Sequence, residues 1–227
     1  PRRRQESVVG GLLAPEIGRA FEQFREFRLR CIQSLAFAEP VLRKHRLRLA
    51  IENHKDQTAA ELIEILRKLG SEWIGTLVDT GNNIALLEEP HAVVEALAPF
   101  AMSVHLKDMA VQPYPDGFLL SEVSLGTGFL DLPRIITTLR TANPAIVFNL
   151  EMATRDPLRV PCLTPGYWTT FPERREPALA AGLTLVRRHP PEHPPDGTGD
   201  RSLAQQLAAE EQNNRSSLAW MRAHFKT

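Results

Sequence analysis

Apolar residues in this chain fall in short runs, and most runs are followed by a stretch with helical spacing. ESVVGGLL (6–13) has the pattern of a strand and leads into a segment whose Ile17, Phe21, Phe24 and Phe27 recur at helical intervals. LRLAIEN (47–53) is a second strand pattern. In the following TAAELIEILRKLG, Thr58 can cap a helix, Glu61 stands at the capping-box position and Gly70 supplies the stop. WIGTLVDT (73–80) leads to the helical PHAVVEALAPF. AMSVHLKD (101–108) is followed by a longer excursion, MAVQPYPDGFLLSEVSLGTG, ahead of the helix LPRIITTLRTA. AIVFNLEM (145–152) closes the series. Strands alternating with helices predict an α/β protein with parallel strands.

Past RVPCLTPGYWTTFPER the pattern predicts a helix at PALAAGLTLVRR and a Pro-rich linker over 189–200. A final helix is expected over roughly 201–225, packing back through Leu203, Leu207, Leu218, Trp220 and Met221. The chain thus divides into a main body (1–188), the linker (189–200) and a C-terminal helix (201–227).

Composition narrows the class. The chain has 227 residues, 43% of them hydrophobic, with 27 basic and 27 acidic side chains. Balanced charge gives no field for a polyanion, which argues against nucleic-acid binding. The absence of an eighteen-residue apolar run argues against a membrane span. Cys31 and Cys162 stand in unrelated contexts, so reduced thiols and a cytoplasmic setting are expected. PRRRQESVVGG lacks both a signal-peptide pattern and an initiator Met.

Four of the apolar runs end in a side chain able to bind metal: Glu52, Asp79, His105 and Glu151. In a parallel α/β sheet or barrel all strand C-termini lie on one face, where ligands and catalytic groups gather. Three carboxylates and one imidazole suit Mn²⁺, Mg²⁺ or Co²⁺, with Zn²⁺ less favoured. The first of these ends is crowded with further ionisable groups, His54, Lys55 and Asp56, and the third is followed by Lys107 and Asp108. The last two can contact substrate or brace the strand end as an ion pair. Gly126 and Gly128 in LGTGFLD either cradle a phosphate through their amides or shape a loop over the site, with Asp131 as a helix cap. Lacking a third glycine and a preceding strand, they point to no nicotinamide cofactor. Tyr167, Trp168 and Phe171 can wall a sugar ring or pack in the core.

The segments AIENHKDQT, GTLVDTGNN, SVHLKDM and FNLEMATRDPLRVPCLTPGYW resemble the sugar phosphate isomerase/epimerase group of the xylose isomerase-like TIM barrels, over roughly residues 6–190. The resemblance implies a (β/α)8 barrel of which this chain lacks about the first three βα units. An incomplete barrel leaves two open sheet edges, so association of copies is expected. The resemblance also implies one divalent cation, Mn²⁺ before Mg²⁺, Co²⁺ or Zn²⁺, held by Glu52, Asp79, His105 and Glu151. Glu52 and Glu151 then act as the acid/base pair of a sugar isomerase or epimerase, through a metal-stabilised enediolate. His54, Lys55, Asn82, Lys107, Asp108 and Arg155 are the expected substrate contacts, with Asp156 beside them. A lyase, either a dehydratase or a decarboxylase of a keto-sugar acid, would use the same site. A third reading is an inactive partial barrel acting by association.

Two departures from the tagatose-type epimerases bear on the substrate. Asn82 stands where those enzymes carry a His, and Val111 where they carry an Arg. Endonuclease IV shares the barrel, but its multi-zinc site needs additional histidines. His45, His91, His189, His193 and His224 do not end strands here.

Overall fold

In the computed structural model, which describes residues 14–191, 197–199 and 201–225, the helix after the first strand begins and ends where its caps place it. Strand β1 (Leu49–Glu52) leads into α2 (Ala59–Leu69), preceded in the chain by α1 (Ala14–His45). The Thr58 hydroxyl accepts from Glu61 N, and the Glu61 carboxylate accepts from Thr58 N at 2.9 Å. Gly70 adopts φ 55° and closes the last turn onto Leu66 O. The strand expected at 6–13 lies outside the described residues, as do the side chains of Ile17 and Phe21. Of the remaining apolar stripe on α1, Phe24 is half-buried and Phe27 is exposed.

Strands β2 (Ile74–Asp79), β3 (Ala101–Leu106) and β6 (Val147–Leu150) join β1 in an all-parallel sheet of order β1-β2-β3-β6. Among the described residues, β1 and β6 are each paired on one side only. Side chains alternate between the two faces. Val78, Val104 and Leu106 are fully buried with Leu62 and Leu66 of α2, Val94 and Leu97 of α3 (Pro90–Leu97), and Ile135 and Leu139 of α4 (Leu132–Ala142). The opposite, concave face carries Leu77, Asp79, Ser103, His105 and Asn149.

The excursion after β3 is not a loop. It forms a hairpin of β4 (Asp108–Tyr114) and β5 (Gly117–Val123), which β7 (Leu158–Val160) extends as a third antiparallel strand. Pro115 and Asp116 make its turn, Tyr114 pairs with Gly117, and Gly117 at φ 154° lets the Val160 and Cys162 backbone approach closely. Strand β3 passes into β4 through Lys107 alone, so helix–strand alternation breaks at this point.

After α5 (Arg175–Arg188), the C-terminal helix α6 (Leu203–His224) returns to the body, but not on the expected leucines. Leu203, Leu207 and Leu218 are exposed, whereas Trp220 and Met221 do pack against the core. Polar groups share the docking. Ser217 Oγ accepts from Leu125 N at 3.1 Å, Asn213 Oδ1 from Ser124 Oγ at 3.1 Å, and Glu210 Oε2 from Thr154 N at 2.6 Å. The linker is tied down where Asp156 accepts from Thr198 N at 2.6 Å. Both cysteines are free thiols. No helix among the described residues is long and apolar enough to cross a membrane.

The core and the cap make separable contributions. Leu97→Ala, at a side chain with 0% exposure, is expected to cost about 2–5 kcal/mol in urea unfolding. Thr58→Ala is expected to cost only about 1 kcal/mol.

Candidate metal centre

Strand register alone brings the four sequence-predicted donors together. Glu52 pairs with Leu77, two residues before Asp79, so both lie on the concave face. Asp79 pairs with His105, and His105 with Asn149, two residues before Glu151. The ligating atoms of Glu52, Asp79, His105 and Glu151 all lie within 4.8 Å of one another.

Neighbouring groups fix each donor. Asp79 Oδ1 accepts from Gly81 N at 2.9 Å and Asn82 N at 2.8 Å. Buried Asn53 ties the ends of β1 and β2 together, donating to Asp79 O at 2.9 Å and accepting from Asp79 N at 2.8 Å. It also donates to Asn83, which donates in turn to Glu88. Asn82 Nδ2 donates to Glu52 Oε1 at 3.0 Å. Beneath the cluster, the Lys107 ammonium stands 3.0 Å from Asp79 Oδ2, 3.0 Å from Glu151 Oε1 and 3.4 Å from Glu122 Oε1, with its side chain 2% exposed. Burial alone would lower the Lys107 pKa, but Asp79, Glu122 and Glu151 reverse this and hold it above the ordinary lysine value. Burial pushes Glu151 upward, but Lys107 first, then His105 and Lys55, bring it below the usual carboxylate range.

The donor atoms left over fit a hard divalent cation. His105 Nδ1 and Glu151 Oε2 are buried with no aligned hydrogen-bond partner, although they approach to 2.5 Å, and buried Asp79 Oδ2 meets only the Lys107 ammonium at 3.0 Å. Glu52 Oε1 lies 3.5 Å from the same nitrogen. Acceptors crowded together with too few donors are what a shared cation relieves. Oxygen donors with one imidazole suit Mg²⁺ or Mn²⁺.

The other expected site residues separate. Lys55 donates to Asn82 Oδ1 at 2.6 Å. Arg155 pairs with Glu122. His54 is exposed and makes no hydrogen bond or ion pair among the described residues. Lys107 and Asp108 form no ion pair, because alternation along the strand turns consecutive side chains to opposite faces. Asp108 points away, into the loop before α4, and its carboxylate accepts from Met109, Gly126 and Gly128 N, each at 2.9 Å, and from Leu130 N at 3.2 Å. The Gly126–Gly128 turn therefore does cradle an anion, and that anion is the chain's own Asp108. Tyr167, Trp168 and Phe171 pack edge-to-face on one another, and the Tyr167 hydroxyl donates to Ala85 O at 2.6 Å. Val111, with 0% exposure, is core.

Sequence reasoning missed Glu122. Its side chain, 4% exposed, meets Lys107 and Arg155 and accepts from Ala153 N at 2.9 Å. The Pro-Asp-Gly turn between two apolar runs was the available signal that a strand would carry it there.

The sequence model of the xylose isomerase-like TIM barrel family matches residues 8–189, and the chain belongs to that family. Among curated proteins, 3-oxo-isoapionate decarboxylase of Pectobacterium atrosepticum is 30% identical over 114 residues, 49% of this chain and 39% of that protein. The uncharacterized protein YihM of Escherichia coli K12 is 26% identical over 105 residues, 46% of this chain and 32% of that protein. The match thus spans well under half the length of these relatives. A xylose isomerase-like TIM barrel protein of Mycobacterium smegmatis, solved in complex with magnesium, shares the fold. Its TM-score is 0.51 at 16% identity, over 71% of this chain and 52% of that one.

Two outcomes test the centre. Saturating Mn²⁺ or Mg²⁺, about 100 times its dissociation constant, adds about 2.7 kcal/mol. That should raise the melting temperature of chelator-treated protein by about 5–10 °C; Asp79→Asn should abolish the shift. Lys107→Met should destabilise the metal-free protein by about 3–5 kcal/mol, and added cation should recover part of that loss in the same urea titration.

Proposed function

We propose that this site belongs to a divalent-metal-dependent isomerase or epimerase, which moves a proton on the carbon next to the carbonyl of a sugar derivative. The observation that carries the reading is the order of donors across the sheet. Among the described strands of the parallel sheet β1 and β6 are outermost, so Glu52 and Glu151 flank Asp79 and His105. A substrate over the centre would meet a carboxylate on each side, as proton removal from one face and return to the other require.

Each glutamate has one oxygen anchored, Glu52 by Asn82 and Glu151 by Lys107. Its second oxygen is left to meet a ligand or proton. The depressed pKa of Glu151 keeps that carboxylate ionised near neutrality, in the form that takes up a proton. A divalent cation at the four donors would supply Lewis acidity to the carbonyl and fix the substrate's orientation. Mn²⁺ is the cation we expect, with Mg²⁺ the nearest rival.

A second reading, decarboxylation of a keto-sugar acid, is favoured by the name of the 30%-identical relative and by the cations Lys55 and Arg155 beside the centre. It would use the same metal and donors, and the fate of the intermediate carbanion separates the two.

Metal-loaded protein incubated with keto-sugars in D₂O is expected to incorporate deuterium next to the carbonyl. NMR and mass spectrometry then distinguish a product isomeric with the substrate from one that has lost CO₂ or water. Glu151→Gln and Glu52→Gln should each lower turnover by at least about 100-fold with the fold intact. Unchanged turnover in either variant removes that glutamate from the acid/base pair.

A further inference from the structure

Beside the metal centre runs a narrow cleft lined by Lys55, Asn82, Ser121, Glu122, Arg155 and Asp156. Its two carboxylates are already engaged: Glu122 by Lys107, Arg155 and Ala153 N, and Asp156 by Thr198 and Gly199 N. Lys55 is not matched in this way. Its half-buried ammonium meets Asn82 Oδ1, a neutral acceptor, and pairs with no carboxylate among the described residues. Burial, reinforced by the nearby Lys107, pulls its pKa down, and the more distant pull of Asp79 and Glu122 only partly offsets this. Ser121 Oγ, in the same lining, is buried with no hydrogen-bond partner.

We propose that this cleft receives a carboxylate of the substrate, gripped by Lys55 with Ser121 and Arg155 beside it, so that the enzyme acts on an acid sugar. The inference rests on the reading of the centre as a sugar-transforming site and names the class of sugar. The cleft holds about 20 Å³, on the order of one or two water-sized groups, which favours the smaller carboxylate over a phosphate.

Three ketoses that differ only at C6 provide the test: D-fructose, D-fructose 6-phosphate and D-fructuronate, titrated calorimetrically into metal-loaded protein. D-Fructuronate is expected to bind at least about ten-fold tighter than the other two. Lys55→Met should weaken it about 10- to 100-fold, as loss of a charge-assisted hydrogen bond predicts, and weaken D-fructose by a clearly smaller factor. Ser121→Ala should weaken it by a smaller factor. Metal content is measured on every variant, so that a disturbed centre is recognised. Equal affinity for the three ketoses, preference for the phosphate, or an unaltered D-fructuronate affinity in Lys55→Met overturns the proposal. Selective D-fructuronate binding without any turnover upholds the subsite and counts against the reaction proposed above.

Discussion

Like charges do not share a small volume unless something positive stands among them, and that constraint organises this structure. Three carboxylates and an imidazole converge within 4.8 Å at the ends of four parallel strands. At an effective dielectric of about 20, two like charges 4 Å apart repel by about 4 kcal/mol. Lys107 answers part of that repulsion from below, with its ammonium against Asp79, Glu151 and Glu122. It engages Glu151 Oε1 and leaves Oε2 and His105 Nδ1 without a partner. Internal charge thus holds the donors in place while some of their lone pairs remain open to a cation.

The rest of the fold makes that arrangement possible. Lys107 is two residues beyond His105 on one continuous strand path, so both reach the same face. Thr80 pins the path, accepting from Lys107 N at 2.8 Å and donating to Lys107 O at 2.9 Å. The next residue, Asp108, faces the other way and gathers the amides of the loop before α4. The hairpin that begins there swings back to deliver Glu122. Helix α6 and the linker then fasten Thr154 and Asp156, on either side of Arg155, so the segment that carries Arg155 is also held.

How much of this the sequence revealed follows from which contacts have a fixed period. Strand alternation and a common sheet direction are enough to predict that residues 52, 79, 105 and 151 meet, and they do. The caps of α2 are equally local and are where the spacing put them. Contacts between elements without such a rule were not readable. Gly126 and Gly128 advertised an anion-binding turn, but no spacing rule identifies Asp108, 18 residues before Gly126, as the anion. Lys107 and Asp108 looked like one charged pair because they are adjacent, and adjacency on a strand is what separates them. Leucines on α6 promised an apolar seam, whereas Glu210, Asn213 and Ser217 carry much of the docking.

One consequence concerns chemistry more than packing. The four donors and Lys107 would serve either proposed reaction, since both develop negative charge next to a carbonyl, so they do not by themselves select isomerisation over loss of CO₂. Selection must come from groups that touch the rest of the substrate. Asn82 is placed to join the two regions: its amide donates to Glu52 while its carbonyl oxygen accepts from Lys55. An anion that drew Lys55 toward itself would weaken its hold on Asn82, and Asn82 in turn sets one oxygen of a proposed proton-transferring glutamate. On the proposed roles, recognition at the cleft and proton transfer at the strand ends would be coupled through one carboxamide. A histidine there, as in the tagatose-type epimerases, cannot reproduce that bridge in neutral form with both a carboxylate and an ammonium unless its two ring nitrogens happen to face them in the right order.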